Sequence, residues 1–196
     1  MMELTARQMN IIEAAIEIIA QMGYEKLTTK NLAAKLKLTE AALYRHFPSK
    51  HELVRMVLCY FEQLSCRVIE QIKSEDLSPV ERIRKFVTDR YELFTANPDL
   101  AMVMFSEELF KSDHAYMTYM QDIMHIHRDH VVGYISEGQK AGEIDPGLKP
   151  IHVFRMVVGS MRLIVTQWNL SGHGFDLIIE GGEQLNSIIK LIEVRK

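Results

Sequence analysis

The sequence is poor in cysteine, in net positive charge and in catalytic motifs, and each shortage argues against a class of protein. It contains only two cysteines, Cys59 and Cys66. Because they stand seven residues apart in a helical pattern, they share one helix face, where a disulfide between them is geometrically implausible. No charged and then apolar leader opens the chain, and a histidine and two arginines interrupt its most apolar long segment, residues 151–170. Secretion and membrane spanning are therefore disfavoured, and we expect a cytoplasmic protein.

The chain also lacks the net positive charge that would indicate a nucleic-acid partner. Its formal net charge is -3. The charge is unevenly distributed, however: residues 1–55 hold eight Lys and Arg against six Asp and Glu, whereas the remainder holds 15 against 20. The N-terminal segment is therefore the mildly positive part of the chain.

Motifs that carry catalysis are missing as well. The sequence has no Gly-rich phosphate loop, no GxSxG, no HExxH and no carboxylate pairing such as ExxH. Without these motifs an all-α enzyme remains only a rival interpretation, and we expect neither an enzyme nor a cofactor.

Helix signals are abundant. Apolar residues with a 3.6-residue period end at Gly23, a short helix begins at Thr28 or Thr29, and a third runs from Thr39 to Phe47. A capping box at 49–52 opens a long helix to about residue 74, and breaks near 78, 97, 112, 142–150 and 171 separate further helices of about 14 to 28 residues. We expect an all-α chain of about nine helices: an N-terminal three-helix domain and a larger helical bundle.

The first three helices have the spacing of a helix-turn-helix. Only Lys37 and Leu38 separate the second helix from the third, and so short a turn forces the two to cross steeply. On the third helix Leu43 and Phe47 lie on one side, and the opposite face consists of Ala41, Ala42, Tyr44 and Arg45. Alanines let the backbone approach the floor of a DNA groove, and arginine can bind guanine through two hydrogen bonds. The alternative is an ordinary solvated face.

The stretch LTTKNLAAKLKLTEAALYRHFPSKHEL, residues 27–53, resembles the DNA-binding region of the tetracycline-repressor-like (TetR) family. The likeness covers about residues 8–55, and the rest agrees only in its helix pattern. The resemblance implies an operator-binding protein whose DNA contacts are Thr28, Thr29, Lys30, Lys37, Thr39, Glu40, Ala41, Ala42, Tyr44, Arg45, His46 and Lys50. One departure is Lys37, which stands where the turn usually has glycine; a left-handed backbone there costs lysine about 1 kcal/mol more than glycine.

The C-terminal helices suggest a homodimer. A single helix-turn-helix reads one major-groove segment, so specific binding generally needs two copies. Helix 151–170 has an apolar face too broad for a lone surface helix, and glycines in the last helix imply the close approach of another helix. The resemblance implies that the last two helices of each subunit form the interface, with dimerisation residues Val158, Met161, Val165, Ile178, Gly182, Leu185 and Ile189. The alternative is that both helices are core of the monomer.

Residues 79–140 are rich in methionine and aromatic side chains, which adapt to irregular space and predict a cavity for an apolar ligand. The candidate ligand-binding residues are Phe94, Met102, Phe105, Met120, Met124, His127 and Trp168. The alternative is ordinary core. The resemblance implies that a small-molecule effector entering this region releases DNA by favouring a state with wrongly spaced recognition helices.

A group of histidines, His125, His127 and His130, offers a second possibility, a metal-responsive regulator. Arg128 lies within the group and no cysteine joins it, so we expect no metal site. A sensor whose DNA-binding part has decayed is a further rival. We predict a homodimeric repressor with a DNA-binding domain at 1–50 and a ligand-binding and dimerisation domain at 51–196, released from a near-palindromic operator by a small apolar or amphipathic effector.

Overall fold

A computed structural model describes residues 4–194, apart from the side chains of Glu107 and Glu108. Within these residues every regular element is a helix, and no strand is formed. One 3-10 helix covers Tyr24–Lys26, and the ten α-helices are α1 (Ala6–Met22), α2 (Thr29–Leu36), α3 (Glu40–Tyr44), α4 (Lys50–Ser74), α5 (Pro79–Ala96), α6 (Pro98–Met104), α7 (Glu107–Lys111), α8 (His114–Lys140), α9 (Pro150–Leu170) and α10 (Leu177–Ile192). The all-α prediction is confirmed.

Local capping explains where most helices begin. Thr28 and Thr39 cap α2 and α3, each accepting a hydrogen bond from the backbone N–H three residues on. The capping box of α5 is complete, because Ser78 and Glu81 each accept the other's backbone N–H. The box predicted for α4 is only half formed: Ser49 accepts from the backbone of Glu52, but the Glu52 carboxylate is bonded to Arg55 instead.

Two helix boundaries differ from the sequence prediction. Helix α3 ends at Tyr44 rather than Phe47, and Pro48 disfavours a helical backbone at Phe47 itself. The segment after Pro98 is two short helices instead of one long one. Ser106 separates α6 from α7 and accepts the N–H of Leu109 through its hydroxyl, which starts a new helix. This division raises the number of helices from the expected nine to ten.

The chain divides into two compact units. The first contains the chain up to residue 65 together with 99–121, and the second contains 66–98 and the chain from 122 onward. In the first unit α1 packs on α2, and α2 packs on α3. Their apolar side chains converge on one small core, lined by residues that include Ile11, Leu27, Leu32, Leu43, Phe47 and Leu53.

In the second unit α10 packs against both α5 and α9. Gly181 of α10 makes the contact with α5 possible, because a Cβ added there would lie 2.5 Å from Cε2 of the buried Tyr91. The close helix approach expected from the glycines of α10 is therefore confirmed at Gly181, with α5 of the same chain as the neighbour. At Gly182 an added Cβ would meet nothing within 4 Å. None of the described helices has the length and apolar character needed to cross a lipid bilayer.

Candidate functional site

The turn between α2 and α3 is closed by a lysine with a left-handed backbone. Lys37 has φ 53° and ψ 46°, and its N–H and that of Leu38 donate to the carbonyls of Ala34 and Ala33. This pair of hydrogen bonds is the Schellman ending of a helix, which usually has glycine at the left-handed position. The expectation that Lys37 is held in this conformation is confirmed. The turn directs α3 away from α2 while the Lys37 side chain stays exposed.

The two faces of α3 have the predicted orientation. Leu43 is 3% exposed and Phe47 6%, so the apolar side enters the core of the first unit. Tyr44, by contrast, is 50% exposed, and Arg45 is exposed as well. The outward face therefore presents one aromatic hydroxyl and one guanidinium, beside the small side chains of Ala41 and Ala42. This arrangement has the chemistry that a major-groove contact requires.

Several of the other candidate DNA contacts already have partners inside the protein. The Thr28 and Thr39 hydroxyls accept backbone N–H groups as helix caps. The Thr29 hydroxyl donates to the Glu40 carboxylate at 2.5 Å, which ties the start of α2 to the start of α3. Lys30, Lys37 and Glu40 are exposed, and His46 is half-buried.

Lys50 is held by Tyr24, a residue missing from the predicted DNA-binding set. The Lys50 ammonium donates to the Tyr24 carbonyl at 3.1 Å and lies 3.7 Å from the centroid of the Tyr24 ring. An ammonium group has three donors, so this hydrogen bond leaves others for a phosphate. The tyrosine that follows Gly23 was the only sequence signal for this contact. Tyr24 therefore fixes the position of Lys50 at the start of α4.

The predicted ligand-binding residues fall in both units. Met102, Phe105 and Met120 belong to the first, and Met102 is exposed. The second holds Phe94, Met124, His127 and Trp168, of which Phe94 and Trp168 are buried and Met124 is exposed. The His127 ring makes an edge contact with Phe86 of α5, with the two ring centroids 5.9 Å apart. Burial and the nearby Arg90 guanidinium lower the pKa of His127 to about 2, so its ring is neutral at ordinary pH.

Arg90 itself had no place in the prediction, although it is the most enclosed cation of the second unit. Its side chain is 3% exposed, and burial lowers its pKa to about 9. The Nη1 atom donates to the Phe86 carbonyl at 2.9 Å, and the guanidinium carbon lies 3.5 Å from the centroid of the Phe86 ring. Nη2 is buried without a hydrogen-bond partner. The period of α5 places Arg90 on the buried apolar face with Phe86, Val87 and Phe94, and this is the sequence signal that could have identified it.

The histidine group gives the metal alternative no support. His125 is exposed on α8, whereas His127 is half-buried against Phe86. Across the residues that the structure describes, no three His, Cys, Asp or Glu side chains come together as metal ligands. The cation of Arg90 near His127 would also repel a metal ion.

Comparison with known proteins gives matches along nearly the whole chain. Residues 11–57 match the family described as bacterial regulatory proteins, tetR family, and residues 60–192 match the C-terminal region of YsiA-like proteins. The chain belongs to the TetR family. It is thus a DNA-binding transcriptional regulator of a ligand-responsive family, and this family consists of regulators rather than enzymes.

Three TetR-like proteins show how far the likeness extends. The fatty acid metabolism regulator protein of Bacillus subtilis is 24% identical over 189 residues, covering 95% of this chain and 93% of that protein. The nucleoid occlusion factor SlmA of Marinobacter nauticus is 30% identical over 150 residues, covering 74% and 72%. Among solved structures, FadR from Bacillus subtilis in complex with stearoyl-CoA has a TM-score of 0.81 at 25% identity, covering 94% of this chain and 98% of that one.

The dimerisation residues predicted for this TetR-family chain divide into two groups. Met161, Val165, Leu185 and Ile189 are buried within the second unit, Val158 and Gly182 are half-buried, and Ile178 is exposed. Five further apolar side chains are exposed like Ile178: Met156, Leu163 and Leu170, which stand seven residues apart on α9, and Ile179 and Leu191 on α10. We call these six the exposed apolar face. The prediction missed five of these six residues because helix period alone does not show which apolar residues of α9 and α10 another helix covers.

Proposed function

We propose that this protein is a homodimeric repressor that binds a near-palindromic operator in the cytoplasm and is released by an amphipathic effector with a long acyl chain. Residues 1–50 would form the DNA-binding domain and residues 51–196 the domain for effector binding and dimerisation. The observation that carries the DNA-binding part is the orientation of α3, which buries Leu43 and Phe47 and exposes Tyr44 and Arg45.

The exposed face of α3 supports a division of labour among the predicted DNA contacts. Arg45 is exposed, and we assign it the reading of guanine. Glu40, Ala41 and Ala42 are assigned positions at or near the base edges. Phosphate contacts are assigned to Thr28, Thr29, Tyr44, His46 and Lys50, with Lys30, Lys37 and Thr39 beside them. Thr29 must release Glu40 before its hydroxyl can donate to a phosphate, because its proton is already used.

The exposed apolar face supports the homodimer. Isolated apolar side chains on a surface are common, but Met156, Leu163 and Leu170 recur every seven residues on one face of α9, and the adjacent α10 adds three more exposed apolar residues. Exposed apolar surface of this kind marks an interface. A glycine at position 159, where an added Cβ would meet nothing within 4 Å, leaves the middle of α9 open to another helix. A second copy of the chain is the partner that would also supply the second recognition helix.

The effector class rests on the relatives. The end-to-end likeness to the fatty acid metabolism regulator protein of Bacillus subtilis, and to a FadR structure that contains stearoyl-CoA, favours an acyl chain as the apolar part of the effector. Within the second unit, Phe94, Met124, His127 and Trp168 are the predicted residues that an acyl chain would contact. An effector acts only through its higher affinity for the state that cannot bind the operator.

The DNA-binding part can be tested by selecting preferred duplexes and measuring affinity across salt concentrations. Arg45→Ala should lose the base preference, with a penalty of about 1–3 kcal/mol on the selected sequence. Lys50→Ala should weaken every sequence and lower the salt slope by about one. Lys140→Ala, which removes an exposed charge at the end of α8, serves as the control and should change neither property.

If Arg45→Ala selects the same duplexes as the unchanged protein, Arg45 does not read bases and its assignment is wrong. If the unchanged protein selects no sequence at all, the operator-binding proposal itself is wrong. Release is tested separately, by adding stearoyl-CoA to the complex of protein and selected duplex, where it should reduce the bound fraction.

A further inference from the structure

A cation buried in the second unit lacks a charge partner. Arg90 is 3% exposed, and one of its terminal nitrogens, Nη2, has no hydrogen bond. Asp89, the acid whose charge acts on it, is already bound to Lys85, with Oδ2 3.2 Å from Nζ. Among the described residues, no carboxylate forms an ion pair with Arg90.

The groups around Arg90 do not neutralise it. Its aromatic neighbour Phe86 accepts one N–H through its carbonyl and faces the guanidinium with its ring. His127, which makes an edge contact with that ring, is neutral and adds no negative charge. The remaining groups that act on it are Cys66 of α4 and Tyr134. The Tyr134 hydroxyl is also buried without a hydrogen-bond partner, and its pKa is raised, chiefly by burial.

Arg82 of the same helix differs from Arg90 in having a charge partner, although its Nε atom is also buried without a hydrogen bond. The Arg82 guanidinium lies 5.9 Å from the Tyr134 ring centroid, and its Nη1 donates to the Glu137 carboxylate at 2.8 Å. Arg82 and Arg90 are eight residues apart on α5, and both lie near α8. Only Arg82 has a carboxylate.

A buried charge without a partner is costly, and buried hydrogen-bonding groups in folded proteins nearly always have partners. Two donors left over at one place, a guanidinium N–H and a phenol O–H, both suit an oxygen that carries negative charge. We propose that Arg90, with the Tyr134 hydroxyl beside it, binds an anionic oxygen group, a carboxylate or a phosphate, of the effector. This inference rests on the proposed function in taking the ligand to be the effector.

The test compares probes that share a chain and differ in charge. Decanoate, decanoyl-CoA and decanol are titrated calorimetrically into the protein, together with benzoate and benzyl alcohol, which have no long chain. The unchanged protein should bind at least one anionic probe more tightly than its neutral counterpart. Arg90→Gln should reduce that preference roughly tenfold or more and leave the alcohols unchanged, since it removes a charged hydrogen bond. Tyr134→Phe should reduce it less.

Two further variants separate recognition from a structural role. Arg90→Lys retains the charge and should recover part of the preference, and Arg82→Gln is the matched control that should retain all of it. Without ligand, Arg90→Gln should melt no lower than the unchanged protein, because the uncompensated charge is removed. A lower melting temperature together with equal weakening of charged and neutral probes would mean that Arg90 only supports the fold, and the inference is overturned.

The probes also distinguish the source of the anion. Sensitivity of decanoate binding to Arg90→Gln identifies a carboxylate, and sensitivity of decanoyl-CoA alone identifies a phosphate. If no ten-carbon probe binds but benzoate is preferred through Arg90, the acyl-chain effector is wrong while the inference holds. If the unchanged protein prefers the anion in neither set, the inference is wrong whatever the effector.

Discussion

The two units differ in how many buried polar atoms lack a hydrogen bond and in how many large apolar side chains are exposed. Among the described residues, the first unit leaves one buried side-chain polar atom without a hydrogen bond, Ser65 Oγ, whereas the second leaves five: Arg82 Nε, Arg90 Nη2, Tyr134 Oη, Asn169 Oδ1 and Gln184 Oε1. The second unit also exposes more large apolar residues than the first. Of 13 exposed large apolar residues, four belong to the first unit and nine to the second.

This difference indicates which kinds of molecule each unit contacts. The helix-turn-helix presents polar and charged groups outward to water or DNA and keeps an apolar core. The second unit has apolar side chains outside and unpaired polar atoms inside, which is the pattern expected of a part that is completed by other molecules. A second copy of the chain would cover the exposed apolar side chains, and an effector would form hydrogen bonds with the unpaired polar atoms.

The largest expected effect concerns the exposed apolar face. Leu163 is 55% exposed on α9. Leu163→Glu should give a monomer by sedimentation and lower operator affinity by about a hundredfold or more, because a single copy has little beyond non-specific binding. Ile126→Glu, an exposed position on α8, is the control and should remain dimeric. If the Leu163→Glu protein remains dimeric, the exposed apolar face is not the dimer interface.

Packing inside the second unit should be less tolerant than its surface. Gly181→Ala places a methyl group against the Tyr91 ring, which is 1% exposed and cannot move aside easily. We expect a loss of about 1–3 kcal/mol in the free energy of unfolding, measured by urea denaturation. Gly182→Ala, the neighbouring control, meets no atom within 4 Å and should gain up to about 1 kcal/mol from helix propensity. Equal effects at the two positions would contradict the assigned contact.

Acid should destabilise the protein through His127. Its pKa is lowered from 6.5 to about 2 in the folded chain, so as the pH falls below 6.5 the unfolded chain takes up a proton that the folded chain does not. Stability therefore decreases on acidification, by up to about 1.4 kcal/mol per pH unit for this one proton. His127→Gln should flatten the decrease in unfolding free energy between pH 6 and pH 5, and His125→Gln, at an exposed site, should not. An unchanged slope in His127→Gln would show that the ring is not buried as neutral.

The smallest effect tests the first unit. Lys37→Gly relieves the left-handed backbone but adds freedom to the unfolded chain, so the free energy of unfolding should stay constant or rise by at most about 1 kcal/mol. Lys37→Ala removes the same side chain and keeps the Cβ, and it should bring no gain. A marked fall in melting temperature for Lys37→Gly would mean that the lysine side chain supports the turn.

Features that depend on nearby residues were predictable from sequence. The caps at Thr28, Thr39 and Ser78, and the left-handed turn at Lys37, involve atoms a few residues apart. The inward direction of Leu43 follows from helix period in the same way. Local sequence alone was less reliable where two signals compete, as at Ser106, whose hydroxyl starts α7 inside what reads as one continuous helix.

The sequence by itself therefore determined the helices, the helix-turn-helix and the outward face of α3, because hydrogen bonds and steric limits within one or two turns decide them. Only the tertiary structure decided that Met161 is buried while Leu163 is exposed, that Gly181 receives the ring of Tyr91, and that Arg90 is enclosed. Each of these outcomes depends on which distant helix covers a given face. Helix period states that a face exists, but the covering helix comes from elsewhere in the chain, and burial is set by both together.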